Sequence, residues 1–333
     1  MAKSPCVSCG NNKGRRVCVL LEGKIICPEC CVAKRDENCL PCEHYLAAKR
    51  LELERFRSTG KHTFIANMSL EEAVDEILQR LEQTMDTKRA AKELEKYADE
   101  TSPHYCFARG VICMIREESD EAVSFFEKSV FLFPYFTPGW CNLASAQMKS
   151  AHIPEAYDAC QVALKLSSPK DSYHQLAQKQ LQEIKEFVAK HTPFGFQEYI
   201  QRARDFVRYY DLMHKEPQKA AAGFLKLLEK EPNHVQCHGN LGLCYALLGR
   251  KADAERELKK ALELDPDYHV ARTNLTAIAN NMQEGVPLAE NPQLSYIGLE
   301  FYKAKHTLEK SGNLAKKQAI RELFALCGIP TDS

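Results

Sequence analysis

Apolar residues recur at helical spacing over most of the chain from Ser69 onward. The first such stretch follows Ser69–Glu72, a capping-box sequence typical of a helix N-terminus, and its apolar residues are Ala73, Ile77, Leu78 and Leu81. Gly and Pro fall mostly between stretches of this kind. The pattern therefore predicts helices almost throughout, with a single long helix over Asp171–Lys190 and two last helices over Pro292–Lys310 and Leu314–Leu326.

The first 45 residues follow a different pattern. Two short apolar-rich runs, Arg16–Leu21 and Lys24–Ile26, lie on either side of Glu22-Gly23, which predicts a β-hairpin. A helix is predicted to begin near Glu43. The expected fold class is mainly all-α, with a small N-terminal β-hairpin module.

An internal repeat organises the helical part. Pro232 and Pro266 each end an amphipathic helix, and the interval between them matches a known helix-pair period of about 34 residues. Between them, small and apolar residues stand at fixed offsets: His238, Leu241, Gly242, Tyr245, Ala254, Leu258 and Ala261. On these residues the 235–268 segment resembles a tetratricopeptide repeat (TPR), with His238 at the usual Trp position. The resemblance implies antiparallel helix pairs stacked into a solenoid, and partner proteins or peptides held on its concave surface.

The same frame recovers weaker repeat units and divides the chain. Residues 137–170 supply Trp140, Leu143, Ala144, Ala156 and Ala163, and weaker matches raise the expected number of repeats to between three and five. At one point along the chain, the spacing of the repeat-ending prolines departs from the period of about 34 residues. The predicted organisation is therefore a module over residues 1–45, connecting helices over 46–100, a first array with a capping helix over 103–190, a second array over 195–281, and C-terminal helices over 291–328 that cover the open end of the second array.

Composition narrows the class of protein. The chain has 333 residues, 45 Lys plus Arg against 45 Asp plus Glu, and 44% apolar residues, which is typical of a folded globular protein. No run approaches the roughly 18 consecutive apolar residues of a membrane span, and the first residues lack the apolar run of a secretory signal. We therefore expect a cytoplasmic protein without a membrane segment, in a compartment where clustered cysteines bind metal rather than form disulfides.

Eight of the 15 cysteines lie within the first 42 residues. Four of them form two Cys-x2-Cys pairs: Cys6, Cys9, Cys27 and Cys30. The loop between the pairs falls within the range of about 15–20 residues that four-cysteine zinc sites use. This spacing indicates a structural zinc site, because each pair lets a tight turn direct two sulfurs to one ion. Residues 5 to about 31 resemble a zinc ribbon, and a segment this small needs the metal to fold.

The other four cysteines of the module suit a second structural site: Cys18, Cys31, Cys39 and Cys42. His44 is an alternative ligand in place of Cys18 or Cys31, and interleaved pairing of the ligands stays open. The expected cofactor is one or two zinc ions.

The module carries a modest positive charge. Residues 1–61 have 12 Lys plus Arg and seven Asp plus Glu. Two zinc ions on eight thiolates add a charge of about −4, which leaves about +1. This near neutrality makes a protein partner a better expectation than a nucleic acid.

The residues expected on the concave surface are polar or apolar side chains of first helices of the repeats: Asn142, Ser145 and Lys149 in the first array, and Gln236, Asn240, Leu243 and Asn274 in the second. No catalytic constellation is present, neither a nucleotide-binding loop nor a nucleophile elbow. The leading hypothesis is a non-enzymatic adaptor or scaffold. The alternatives are a nucleic-acid-associated regulator whose zinc module contacts DNA or RNA and, third, an enzyme with a catalytic metal in that module.

Overall fold

The structure is a computed structural model, and it describes residues 5–35, 39, 42–59, 68–287 and 314–330. Two compact units are present, residues 1–184 with 304–332 (the first unit) and residues 185–303 (the second unit). None of the helices in these described ranges is both long and apolar enough to span a bilayer.

The N-terminal module, which we call the head, contains a small antiparallel sheet. Strands β1 (Arg16–Val17) and β2 (Ile25–Ile26) pair with Arg16 opposite Ile26 and Val17 opposite Ile25. Helix α1 (Pro28–Ala33) follows directly. Its N-terminus is defined by Pro28 in the first turn and by the Cys27 sulfur, which accepts the N–H of Cys30.

The hairpin is shorter than the sequence pattern predicts. Residues Val19–Leu21 form a single 3-10 turn instead of extending β1. Glu22 and Gly23 both have positive φ angles, 53° and 83°, and the Gly23 N–H donates to the Cys18 carbonyl at 2.9 Å. This tight turn closes the chain immediately after Cys18, which explains why the apolar run Val19–Leu21 does not pair as a strand.

Between the head and the repeats, the described residues form the α-helices α2 (Glu43–Thr59), α3 (Met68–Thr84) and α4 (Thr87–Leu94). Helix α3 begins at Met68, one residue before the Ser69 of the predicted capping box. Its apolar side packs with α4 and with the next helix through a cluster that includes Val74, Ile77 and Leu94.

The repeat helices of the first unit form antiparallel pairs. Their bounds are α5 (Pro103–Ile115), α6 (Ser119–Leu132), α7 (Thr137–Lys149) and α8 (Ile153–Leu166), followed by the long helix α9 (Ser172–His191). The boundary between the two units falls inside α9, after Ile184. Prolines occupy the first turns of α5, α7 and α8, where a missing N–H costs no hydrogen bond.

In the second unit as described to residue 287, five helices follow this boundary: α10 (Phe196–Leu212), α11 (Pro217–Lys230), α12 (Val235–Leu247), α13 (Lys251–Leu264) and α14 (His269–Asn281). Its core contains the predicted repeat residues Leu241, Ala254, Leu258 and Ala261, all fully buried. Gly242 permits the close approach of α12 and α13, because a Cβ atom there would lie 2.8 Å from Leu258 Cγ and 3.1 Å from the Ala254 carbonyl oxygen.

The C-terminal helix α15 (Leu314–Leu326) belongs to the first unit. It packs against α2, α6 and α8, so the prediction that it covers the open end of the second array is wrong. The physical reason is the apolar side of α15, where Leu323, Leu326 and Ile329 just beyond it are buried. The predicted helix over Pro292–Lys310 lies outside the described residues.

The architecture confirms the predicted fold class, mainly α with a small N-terminal two-stranded sheet. In the described ranges, every element after residue 35 is helical. The small residues of the repeats predict this pairing of helices, because Gly and Ala at facing positions let antiparallel helices pack closely.

Candidate metal centre and interaction surfaces

The structure brings the first predicted set of cysteines together. The sulfurs of Cys6, Cys9, Cys27 and Cys30 all lie within 4.8 Å of one another, and Cys9 Sγ is 4.0 Å from Cys27 Sγ. Four sulfurs around one zinc ion at about 2.3 Å lie about 3.8 Å apart. The geometry of the first set therefore fits a tetrahedral thiolate site.

Backbone amides are directed at these sulfurs. Ser8 N–H donates to Cys6 Sγ and Cys30 N–H donates to Cys27 Sγ, both at 3.4 Å. Asn12 Nδ2 is 3.9 Å from Cys27 Sγ and donates to Glu29 Oε2 at 2.7 Å. Such donors orient the sulfurs and stabilise negative charge on them, as outer groups around a metal site do.

The same amides influence ionisation of the thiols. Burial raises the pKa of Cys6, but hydrogen bonds from the backbone of Cys27, Cys9 and Ser8 outweigh it and lower that pKa to about 6. At Cys30, hydrogen bonding with the Cys27 side chain raises the pKa to about 12.

The second predicted set lines one small enclosed cavity of about 10 Å³, which Cys18, Cys31, Cys39 and Cys42 share with Lys34, Arg35 and Tyr45. Among the described residues of the head, the first set alone has all four sulfurs within 4.8 Å. His44, the predicted alternative ligand, is exposed and does not line this cavity.

Cysteines of the helical part are in a different environment. Cys106, Cys141, Cys160, Cys237 and Cys244 are almost fully buried among apolar side chains. Burial raises the pKa of Cys141, Cys160, Cys237 and Cys244 to about 12 and that of Cys106 to about 11. These thiols act as small apolar residues in the core.

The predicted surface residues of the first array are partly used within the fold. Ser145 Oγ accepts from Gln180 Nε2 at 2.7 Å, and that amide also donates to the Cys141 carbonyl at 2.9 Å. Asn142 donates to the carbonyl of Pro138 in its own helix, and Lys149 is exposed. Helix α9 thus covers α7 around Ser145, because Gln180 is nearly fully buried there.

The predicted surface residues of the second array have mixed environments. Gln236 and Asn240 are half-buried on α12, whereas Leu243 is buried. Asn274 on α14 is 3% exposed, and its Oδ1 has no hydrogen-bond partner among the described residues.

A cleft of about 480 Å³ lies at one edge of the second unit. It is lined by Glu231, His234, Val235, Gln236, Asp265, Asp267, Tyr268 and His269. Of these residues, Gln236 is the one predicted from sequence to contact a partner. A signal was present, however, because Glu231, His234 and Val235 each stand one repeat period before Asp265, Tyr268 and His269, respectively. Equivalent positions of adjacent repeats meet at one edge of the stack.

Several side chains around this cleft are held in place. Glu231 forms an ion pair with Arg202 at 3.0 Å, and Arg202 also donates to the Leu227 carbonyl. The His234 ring stacks on Phe206 and its Nδ1 accepts the N–H of Cys237. Burial lowers the pKa of His234, which favours the neutral ring that this acceptor role requires. Asp267 and His269 are exposed.

In two repeat units, different side chains make the equivalent hydrogen bond to the carbonyl of the proline that precedes the unit. Trp140 Nε1 donates to the Pro134 carbonyl at 2.7 Å, and His238 Nε2 donates to the Pro232 carbonyl at 2.9 Å. His238 Nδ1 also hydrogen-bonds Glu257 at 2.8 Å. His238 therefore reproduces the connection that a tryptophan makes at this repeat position.

Comparison with known proteins gives one family match. Residues 235–268 match the tetratricopeptide repeat family, and this is the segment where the signature residues are most complete. No curated protein matches the sequence.

Several solved structures resemble this chain. YrrB, described as a TPR protein with an unusual peptide-binding site, is 19% identical over 61% of this chain and 91% of its own, with a TM-score of 0.30. The MamA protein is 20% identical over 60% and 94%, with a TM-score of 0.30. The TPR2AB domain of yeast Sti1, in a complex with pHSP90, is 16% identical over 64% and 85%, with a TM-score of 0.29. Likenesses of this extent assign no function to the chain.

Proposed function

We propose that the protein is a non-enzymatic adaptor that binds a segment of a partner protein on its second unit, and that zinc bound by Cys6, Cys9, Cys27 and Cys30 holds its head together. The observation that carries the first part is the cleft between α11–α12 and α13–α14, at the edge of the matched repeat. Stacked helical repeats commonly bind extended partners along such surfaces.

The charges of the cleft indicate the chemistry of the partner. Its lining, which lies wholly in the described part of the second unit, includes three carboxylates and neither lysine nor arginine. Glu231 is paired with Arg202, while Asp267 is exposed at the rim. A partner segment with a lysine or arginine side chain complements this charge.

The second array is a better candidate than the first for this role. On the first array, the predicted surface residue Ser145 is bound by Gln180 of α9. On the second, Gln236 lines the cleft. The proposed partner therefore contacts Gln236 and the carboxylates beside it.

The role of zinc follows from the size of the head. The cluster that contains Cys6, Cys18, Ile26 and Cys27 has few buried apolar residues, and a segment of about 30 residues cannot stabilise itself by apolar burial alone. Zinc, when bound, would cross-link the two Cys-x2-Cys turns through four sulfur bonds. The N–H groups of Ser8 and Cys30 stabilise these turns by donating hydrogen bonds to cysteine sulfurs.

A peptide-binding experiment tests the adaptor proposal. The probes are two fluorescent peptide pools of equal length, one rich in lysine and arginine and the other rich in aspartate and glutamate, and the readout is anisotropy with the full chain. We expect the basic pool to bind more tightly, and Asp267→Asn to weaken that binding roughly threefold to tenfold through loss of one carboxylate.

Glu263→Gln is the matched control, because it removes one exposed negative charge outside the cleft. Equal binding of the two pools, or equal effects of Asp267→Asn and Glu263→Gln, would contradict the proposed acidic binding cleft.

A further inference from the structure

Arg202 of α10 shows how the second unit binds a guanidinium group of its own. Its Nη2 donates to Glu231 Oε2 and to the Leu227 carbonyl, both at 3.0 Å. Its guanidinium carbon lies 4.3 Å from the centre of the Phe194 ring, and 13% of the side chain is exposed. A carboxylate and an aromatic ring therefore contact one arginine side chain, an arrangement that suits a planar cation.

The next repeat has a carboxylate at the same position but a different residue opposite it. Asp265 directly follows α13, as Glu231 directly follows α11 one repeat period earlier. At the position equivalent to Arg202 stands Gln236 of α12, which has no positive charge. Both Asp265 and Gln236 line the cleft. Asp265 has no ion pair with any residue that the structure describes, and its Oδ1 accepts the N–H of Asp267 at 3.0 Å.

Tyr268 supplies an aromatic ring near Asp265. The ring lies against α12 at Gly239, where a Cβ atom would be 3.0 Å from Tyr268 Cε1. Burial raises the pKa of Tyr268 most, and the nearby Tyr210 and Asp265 side chains raise it further. The lining of the cleft, all of it in the described residues, thus contains a carboxylate and a ring like those that contact Arg202, but no arginine.

The rest of the lining favours a planar cation over a compact one. The His234 ring, which stands at the position equivalent to Tyr268, also lines the cleft, and burial lowers its pKa so that the neutral form is favoured. An ammonium group is a strongly hydrated point charge, whereas a guanidinium stacks on rings and donates two parallel hydrogen bonds to a carboxylate. Two rings beside a carboxylate therefore suit arginine better than lysine.

We propose that the cleft binds an arginine side chain of the partner, whose guanidinium bonds to the Asp265 carboxylate and stacks on the Tyr268 ring. This arrangement repeats the one that Arg202 has with Glu231 and Phe194. The inference rests on the acidic binding cleft of the proposed function and adds the identity of the cation. A lysine in the same partner segment meets the same negative charge but lacks the stacking and the second hydrogen bond.

Peptide binding to the full chain, followed by fluorescence anisotropy, tests this inference. Three peptides of one length and sequence differ at their cationic positions, which carry arginine, lysine or citrulline, a neutral analogue of arginine. We expect the arginine peptide to bind roughly threefold to tenfold more tightly than the lysine peptide. The citrulline peptide should bind more weakly than both, because it keeps the shape of arginine but lacks its charge.

Two substitutions remove the proposed contacts one at a time. Asp265→Asn should weaken binding of the arginine peptide roughly tenfold or more, because a charged hydrogen-bond acceptor is lost. Tyr268→Leu should lower the affinity for the arginine peptide to that for the lysine peptide, because the ring that distinguishes the two cations is lost. Circular dichroism checks that each variant is folded.

Gln236→Arg is a test in the opposite direction. It places an arginine where Arg202 stands in the preceding repeat, so its guanidinium should pair with Asp265 within the chain and weaken binding of the arginine peptide. Asn280→Arg is the matched control, because it adds the same charge at an exposed position of α14 outside the cleft. Equal loss of binding in these two variants would contradict the proposed site. Where Tyr268→Leu fails to fold, this pair of variants replaces it.

The outcomes separate this inference from the proposed function. Equal affinities for the arginine and lysine peptides, both higher than that for an acidic peptide, would keep the acidic cleft and overturn the arginine site. Unchanged binding of the arginine peptide in Asp265→Asn would also overturn the arginine site. Absence of binding by both basic peptides would overturn the proposed function together with the inference.

Discussion

The head and the repeat helices are stabilised by different means. In the head, the residues with the least exposure are mainly cysteines, with Ile26 as the fully buried aliphatic residue. In the second unit, one continuous core contains large apolar residues such as Phe224, Leu241 and Leu258. Cysteine therefore has two roles in this chain: clustered sulfurs with amide donors in the head, and isolated apolar side chains in the helices.

The difference shows that residue type alone does not determine the role of a cysteine. Cys27 lies next to three other sulfurs and accepts an amide N–H, whereas Cys244 is surrounded by apolar residues that raise its pKa to about 12. Sulfurs that lie close together can share one metal ion, whereas an isolated thiol in an apolar core suits packing. The comparison can be tested by perturbing each kind of stabilisation separately.

The largest expected effect is the loss of the head on removal of metal. Treatment of the full-length protein with a strong zinc chelator, or the substitution Cys27→Ser, should unfold residues 5–31, because structural zinc supplies about 10–16 kcal/mol of apparent folding free energy in small zinc domains. Proteolysis within residues 5–31 should become rapid, while the helical circular dichroism signal stays nearly unchanged.

Cys244→Ser is the control for this prediction, since it changes an equally buried cysteine in the second unit. It should leave the zinc content and the protection of the head as in wild type. An undiminished protease resistance of residues 5–31 after chelation would show that the head is stabilised without metal.

A smaller effect on stability is expected when a substitution creates a cavity in the helical core. Leu258 is fully buried and lies in the α12–α13 interface next to Gly242. Leu258→Ala should lower the free energy of unfolding by about 2–5 kcal/mol and leave zinc content unchanged. Thermal unfolding followed by circular dichroism measures the loss.

The neighbouring exposed residue Lys259 provides the matched control on the same helix. Its side chain is exposed and forms an ion pair with Glu255 at 3.4 Å, so Lys259→Ala should change stability by less than about 1 kcal/mol. Similar shifts for Leu258→Ala and Lys259→Ala would mean that apolar burial does not dominate the second unit.

The smallest expected effect concerns the histidine at the tryptophan position of the repeat. His238→Phe removes the hydrogen bonds to Pro232 and Glu257 and should destabilise the second unit by about 1–2 kcal/mol. His238→Trp should cost less, because an indole N–H there can make the bond that Trp140 makes to Pro134. Urea denaturation of both variants checks the order, and a His238→Trp protein less stable than His238→Phe would contradict it.

Much of the helical architecture was predictable from local pattern. The repeat spacing of Pro232 and Pro266 and the small residues between them indicated the helix pair α12–α13. The position of α15 was not predictable, because its apolar residues are compatible with any exposed apolar surface. In the structure, α15 packs on the first unit through its buried residues Leu323 and Leu326 and through the hydrogen bond between Tyr45 and Glu322, which are far apart along the chain.

The metal centre and the cleft also differ in how far local sequence predicts them. Cys-x2-Cys spacing indicated the first sulfur cluster, since short loops between ligands restrict where the sulfurs can lie. The acidic cleft was missed although Glu231 and Asp265 occupy equivalent positions of consecutive repeats, because this spacing places both residues at one edge of the stack but does not show that a cleft forms there.

The helix pairs, the hairpin and the first group of sulfurs were predictable from local spacing, because each depends on residues close together along the chain or on a regular repeat. Three features became visible only in the folded chain: Gln180 covers Ser145, α15 lies on the first unit, and Cys18 and Cys42 line one cavity. These contacts join distant segments, and their free energy depends on shape and burial that local pattern does not contain.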